Sequence, residues 1–489
     1  MKQLVSFLLF IIFVTTASYA QTPVSGGIYN NTTWTLANSP YLMTGAIVVF
    51  PGKTLTIEPG VKVLVEADLN ATTGVSDTYL EIRGNLVAEG TAAAPIIFTT
   101  DSINVGNYVP TYTPYQQWKG IIFKASQGGT GSFNYLTLDH SSYGISDEGF
   151  GSSDTLSLTN CTFSNNGISI YMYRHLVFEN CNFDNNYYAL WGDPTNSVTA
   201  TNCNFSNNVT AVPYYGAGSN FSKCTFTNNQ DAIANSAGGV IDSCTFTFND
   251  YVLSSGSSAM NFTITNCLIE NNQIAIGYLG DGSITNCKIL NNVLGLGLGN
   301  GTVVEDCEIK NNQVGIKVYG QFTPGQLIPN VKDNQICYNT VYNVENATDL
   351  NLGLEKNCFC ESDSATIEAS IYDGYDDITR GLFNYGIYDS TCQNLLYFIQ
   401  KVNLDPVSID EQVKNNAFVI SPNPMQTEVS VLISPDQVNK ETIQVLDLQG
   451  KVYYSQRVTA ETALISLPNL PSGIYFMKIG NAVQKFIKE

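Results

Sequence analysis

Cys267-Leu268-Ile269-Glu270-Asn271-Asn272-Gln273-Ile274-Ala275-Ile276-Gly277-Tyr278 is one of eight successive variants of a single pattern that fills the chain from Leu156 to Tyr319. Aligned on Cys161, Cys181, Cys203, Cys224, Cys244, Cys267, Cys287 and Cys307, the variants are separated by 20, 22, 21, 20, 23, 20 and 20 residues. Two places after each cysteine stands Phe163, Phe183, Phe205, Phe226, Phe246, Ile269, Ile289 or Ile309. Five places after it stands Asn166, Asn186, Asn208, Asn229, Asn249, Asn272, Asn292 or Asn312. A period near twenty with no helix-length apolar segment inside it describes a solenoid of short strands.

Cys267 and Ile269 share a parity, and Ile274, Ile276 and Tyr278 share the opposite one. Alternation by two marks a strand with one buried face, so the chain bends between the two segments. Asn271-Asn272 supplies the bend, because asparagine tolerates the left-handed conformation and bonds to nearby backbone. Each coil therefore reads as strand, asparagine bend, strand, variable loop and third strand. Stacked coils place equivalent residues about 4.8 Å apart, which predicts inward ladders of cysteine, of Phe/Ile and of asparagine. With the cysteine as origin, offsets +7, +9 and +11 are expected inside and +10 and +12 outside.

This pattern resembles the right-handed parallel β-helix family, whose coils carry the same Asn-Asn bends, and the resemblance implies that fold over well over half the chain. Upstream, β-rich runs punctuated by Pro51-Gly52, Pro59-Gly60, Gly84-Asn85 and Gly90 read as earlier coils without cysteine, with Leu80 to Val87 taken as one strand. Leu55 to Val61 and Trp118 to Ile121 are similar to the opening of secreted β-helix proteins of Bacteroidetes-type bacteria. After Tyr319 a degenerate repeat from Asn334 to Val344 puts asparagine where the cysteine stood. Ile367 and Ile371 then suggest a short capping helix.

The ends of the chain carry sorting information. Residues 1–20 have the form of a secretory signal peptide: Lys2, an apolar run from Leu4 to Val14, then Ser18-Tyr19-Ala20. A membrane anchor is the alternative, but the run is short for a span and no later segment could cross a bilayer. Residues 418–489 change to alternating strands of a small β-sandwich. Pro422-Asn423-Pro424, Asp447 to Lys451 around Gly450, Leu470 to Tyr475 with Pro471 and Gly473, and a basic end together resemble the C-terminal sorting domain of type IX secretion cargo. Ser421 departs from the aromatic usual before Pro-Asn-Pro. The resemblance implies the type IX machinery as partner, periplasmic transit, and a final location outside the cell or on the outer membrane; an appended carbohydrate-binding sandwich is the alternative.

The expected organisation is all-β: signal peptide 1–20, N-terminal cap and first coils 21–150, ladder coils 151–345, C-terminal cap 346–392, linker 393–417 and sorting domain 418–489. The chain has 22 Lys and Arg against 42 Asp and Glu, for a net charge of -20, which opposes binding to nucleic acid or anionic lipid. Of the twelve cysteines, the eight in the ladder have Cβ atoms too far apart for disulfides and read as buried thiols. Cys337, Cys358, Cys360 and Cys392 read as disulfides, as an exported protein permits. Their spacing leaves three pairings, of which Cys337 with Cys358 and Cys360 with Cys392 is taken; a metal site is the alternative.

Parity places Tyr171, Tyr173, Trp191 and Tyr215 outside three successive coils, as a strip on which sugar rings can stack. Aromatics tucked under neighbouring loops are the alternative. Arg174 and His175 are the only compact candidates for a polysaccharide lyase, with Asp139-His140, Asp147-Glu148 and Asp193 as nearby groups. No cofactor is expected; Asp373, Asp376 and Asp377 could hold calcium or form an acidic cap. The sequence thus favours a non-catalytic glycan-binding or adhesive surface protein, with a polysaccharide-active enzyme as the alternative. Deleting 418–489 is expected to leave a folded solenoid inside the cell envelope, which fractionation of cells carrying the truncated chain checks.

Overall fold

The computed structural model describes residues 21–66, 77–100, 118–148, 155–192, 195–216, 218–235, 237–254, 261–320, 327–354, 356–386, 388, 392, 418–421, 425–433, 438–447, 451–460, 462–480 and 482–488. The signal-peptide segment, the linker 393–417, Asp193, Pro422 to Pro424 and Gly450 lie outside the described residues. The chain divides into two compact units, residues 1–403 and 404–489.

The first unit is a parallel β-solenoid. Each ladder coil contributes a short strand after its cysteine to sheet one, such as Leu268–Glu270, and a strand after the asparagine bend to sheet two, such as Ile274–Leu279. A strand such as Ser283–Thr285 then joins sheet three, which has 13 parallel strands among the described residues. Sheets one and two fuse at the N-terminal end, where Tyr41–Val49 pairs with both Lys62–Val65 and Tyr79–Ile82. Where one strand was expected over Leu80 to Val87 there are two, Tyr79–Ile82 and Asn85–Glu89. Gly84 makes the corner between them, and a Cβ there would lie 2.2 Å from the Lys53 carbonyl oxygen.

The ladders fill the interior. The rings of Phe163, Phe183, Phe205, Phe226 and Phe246 stack at 5.4, 5.0, 4.7 and 4.8 Å, and Ile269, Ile289 and Ile309 continue the row. Burying each large side chain stabilises the fold by roughly 1.5–3 kcal/mol. The second asparagine of each bend is buried, and its Oδ1 accepts from the backbone N and Nδ2 of its predecessor: Asn186 from Asn166 at 2.9 and 3.1 Å, Asn292 from Asn272 at 2.9 and 3.0 Å. Each Nδ2 also reaches a carbonyl of the coil before, as Asn186 does to Phe163 at 3.2 Å. The buried amides are thereby satisfied along the axis.

The first residue of the bend has φ between 55° and 59° in all eight coils, seven times asparagine and once Phe248. A second left-handed corner, not foreseen, precedes each cysteine at Asn160, Asn180, Asn202, Lys223, Ser243, Asn266, Asn286 and Asp306. Offset +7 also departs from expectation. Ile168 is buried, but Tyr188, Ile274, Leu294 and Val314 are only partly so, and Tyr251 is exposed. The inward position beside the bend is instead +8, held by small or β-branched residues such as Ser169, Ala189, Ala211, Ala232, Val252 and Ala275.

Tyr215, expected outside, is buried. Pro213 has no N–H to give to a ladder, so that coil's strand stops at Thr210–Val212 and the alternation slips by one residue. Tyr214 takes the outward place. The Tyr215 ring lies where a side chain at Gly192 would stand, 2.2 Å from the position of its Cβ, and its buried hydroxyl has no hydrogen bond among the described residues.

Before its last strand, Ile371–Tyr372, which pairs with Tyr342–Asn346, the solenoid carries the helix Ser364–Ala369, capped by Asp363 Oδ1 accepting from Thr366 N at 2.9 Å. Ile367 is buried in it, while Ile371 belongs to a strand. The second unit has an antiparallel sheet of Phe418–Ser421, Glu428–Ile433 and Thr462–Ser466. Its other sheet contains Val452–Arg457, Thr442–Leu446, Gly473–Ile479 and Ala482–Lys488. Both sheets feed one core, including Val429, Val431, Ile443, Val445 and Met477.

Three outcomes follow from these contacts. Phe248 occupies a left-handed position that costs an L-residue roughly 1–2 kcal/mol, and its ring is exposed, so Phe248→Asn should raise stability by about 1 kcal/mol in denaturant unfolding. Removing a buried hydroxyl that bonds to nothing makes Tyr215→Phe neutral or stabilising by about 1 kcal/mol, whereas Tyr215→Ala should cost roughly 3–5 kcal/mol. Cys161 to Cys307 are eight free, buried thiols, and burial pushes those of Cys244, Cys267 and Cys287 well above their ordinary range. Alkylation without reductant should therefore label none of them in the folded protein and eight after unfolding.

Candidate functional site

Sheet two carries a wall of aromatic rings on its outer side. Ser146, Tyr171 and Trp191 stand in register on successive coils, as do Tyr143, Ile168 and Tyr188 in the row beside them. Ring centroids lie 5.5 Å apart for Tyr143 and Tyr171, 6.4 Å for Tyr171 and Trp191, and 5.2 Å for Trp191 and Tyr214. Tyr173 packs edge-on against Tyr171, and Tyr188 lies 4.7 Å from Trp191. Three of the four expected strip residues, Tyr171, Tyr173 and Trp191, thus belong to this wall at partial exposure, and Tyr214 replaces Tyr215. Tyr143 and Tyr188 were missed because they sit at offset +7 or its equivalent, which was assigned to the interior.

The wall is polar at its edge. The Tyr171 and Tyr173 hydroxyls are 2.7 Å apart, and partial burial with that bond pushes the Tyr171 phenol up to about 12. Behind Tyr173, Arg174 is buried and gives Nε and Nη2 to Asp147 Oδ2 at 2.8 and 2.6 Å. Burial raises the Asp147 carboxyl above its ordinary value, partly offset by the guanidinium.

Arg174 and His175, the candidates of the lyase alternative, are not brought together. Arg174 turns into the coil, while His175 opens a strand of sheet three, exposed, with Nδ1 2.9 Å from Ser197 Oγ. His140 Nδ1 lies 2.7 Å from Asp139 Oδ1, which also accepts from Thr99, and the Asp139 carbonyl accepts from Trp118 Nε1 at 3.1 Å. Glu148 is spent on Lys119 and Lys124. A shallow cleft of about 560 Å3 at the bend is lined by Asp184, Asn185, Asn207 and Asn228. There Asn207 Nδ2 donates to Asp184 Oδ1 at 2.7 Å and Asn228 Nδ2 to Asn207 Oδ1 at 2.6 Å, so the cleft is the outer side of the asparagine corner.

At the C-terminal cap the disulfides are Cys337–Cys360 and Cys358–Cys392, not the pairing taken from sequence. Gln335 pairs in parallel with Cys358, which places Cys360, two residues on, opposite Cys337. The sulfurs of Cys337, Cys358 and Cys360 lie within 4.8 Å of one another, but disulfide bonding leaves no thiolate to offer a metal. Asp373 is buried, with Oδ1 accepting from Tyr375 N at 2.9 Å and Oδ2 from Phe383 N at 2.7 Å. Asp376 accepts from Asp373 N, and Asp377 from Thr379 and Arg380. These carboxylates fold their own loop, which is a sufficient account of the cluster. In the second unit, Tyr475 is buried against Tyr453 and Phe486, at 5.7 and 5.9 Å, and Pro471 and Gly473 lead into its strand.

The family model described as right handed beta helix region matches residues 125–240 and 212–368, and that of the secretion system C-terminal sorting domain matches 419–489. None of the curated proteins matches the chain. Among solved structures it is similar to the A-module of the Azotobacter vinelandii mannuronan C-5 epimerase AlgE6, at 13% identity over 63% of this chain and 78% of that one, TM-score 0.26. It is also similar to a mannuronic acid specific polysaccharide family 6 lyase from human gut microbiota, at 10% identity over 72% of this chain and 94% of that one, TM-score 0.25. The matched repeats, the parallel solenoid and the sorting tail agree: the chain is a right-handed parallel β-helix protein exported, to the cell surface or beyond it, by the type IX route.

Proposed function

We propose that this protein is a non-catalytic glycan-binding or adhesive protein of the cell exterior, and that the aromatic wall of sheet two is its contact face. The observation that carries this reading is the run of Tyr143, Tyr171, Trp191 and Tyr214 on four successive coils, each ring within 6.4 Å of the next. Coils repeat at about 4.8 Å, so the rings offer a row of apolar faces to a linear polymer laid along the solenoid axis. Sugar rings have apolar faces that stack on aromatic ones, and hydroxyl edges that the Tyr171 and Tyr173 phenols can bond. The lyase alternative needs a base and a cation on one side of a substrate. Arg174, buried on Asp147, and His175, turned toward Ser197, do not supply that arrangement.

Trp191→Ala should weaken binding of the full chain to an immobilised polysaccharide that it retains by roughly 0.5–1.5 kcal/mol beyond the area lost, and Tyr214→Ala by a similar amount. Because both rings are partly exposed, the melting temperature should barely change. Unchanged binding with a large loss of stability would assign the rings to packing instead.

A further inference from the structure

The charges around the aromatic wall select the kind of glycan, an inference that rests on the proposed function. A polyuronate needs cations free to meet its carboxylates, with Arg suited to a bidentate contact and Lys to a point contact. Arg174 is the arginine set among these coils, and it is buried with its guanidinium committed to Asp147. The cations on the N-terminal side of the wall are committed too, Arg83 to Glu81. Lys119 pairs with Glu148 at 3.7 Å, and Lys124 pairs with Glu148 and, at 3.8 Å, with Glu81.

On the C-terminal side the row of Tyr143, Ile168, Tyr188 and Thr210 continues into Asp231, whose carboxylate would repel an anionic chain. Of the two histidines near the strip in sequence, His140 lies with its Nδ1 2.7 Å from Asp139 Oδ1, and His175 stands on sheet three. What the wall does offer is uncharged: aromatic faces and phenolic hydroxyls. We propose that the wall takes a neutral, hydroxyl-rich polysaccharide running along the axis, and that carboxylated chains are excluded for want of an uncommitted cation beside it among the described residues.

Affinity electrophoresis of the full chain through gels containing xylan, galactomannan or mixed-linkage β-glucan, and through gels containing polygalacturonate or alginate, tests this at low and raised salt. Retardation by at least one neutral polymer is expected, with none of comparable strength by the acidic ones. Raised salt should leave it unchanged, because no ion pair forms and so nothing is screened. Trp191→Ala should reduce it by roughly twofold to tenfold. Retardation confined to the acidic polymers, or matched by them, overturns the neutral-chain inference while leaving the glycan-binding wall standing. Retardation by none of them overturns both.

Discussion

The buried asparagine row is the constraint on which the rest of the solenoid depends. A parallel coil needs a sharp corner between sheets one and two, and that corner turns backbone N–H groups inward, where water cannot reach them. An unsatisfied buried donor costs about 1–3 kcal/mol, repeated at every coil. The second asparagine meets this cost with one side chain: its Oδ1 takes both the backbone and the side-chain donor of the coil before, and its Nδ2 supplies the coil after. Because the bond runs from coil to coil, it also fixes register, so the Phe stack and the thiol row follow from the same geometry. The row ends in substitutes: Ser141 donates to Asn166 at one end, and Asn343 reaches Ser370 at the other.

Features with one residue type at one offset were legible in the sequence. The Cys, Phe/Ile and Asn rows repeat at fixed spacing, and periodicity alone recovers the strands of sheets one and two. The corner before each cysteine was not seen because several residue types solve it: asparagine, lysine, serine and aspartate all take φ near 55° there. Offset +7 was misread because Ile274, Leu294 and Val314 are apolar yet only partly buried, and the interior place beside them belongs to +8. The strip was legible from Tyr171 to Trp191. It was misread at Tyr215, where one proline shifts the alternation in a way no parity count includes. Disulfide pairing depended on the register that sets Gln335 beside Cys358 and so Cys337 beside Cys360, which the loosened repeat does not state.

The aromatic wall and the buried ion pair behind it draw on different parts of the coil. Tyr171 and Trp191 lie in strands whose places are fixed on both sides by parallel neighbours, so their outward direction is set by the sheet. Tyr214 stands beyond the end of its strand, and Arg174 sits between sheets two and three. The wall thus combines rigid rows from the scaffold with residues outside the strands, which vary from coil to coil. The same logic confines the wall to a few coils, since the following positions in register with Trp191 are small or polar: Ala234, Ser254 and Gly277.

The asparagine row has an electrical consequence. Every side-chain amide in it points the same way, its oxygen toward the N-terminal end of the solenoid and its nitrogen toward the C-terminal end. A peptide unit carries a dipole of about 3.5 D, and a side-chain amide is chemically alike. Head-to-tail alignment makes these dipoles add, and each polarises the next within a dry interior. The row is therefore a line of dipoles of fixed polarity, negative toward Ser141 and positive toward Ser370, and it would persist unchanged in direction if a coil were duplicated or lost.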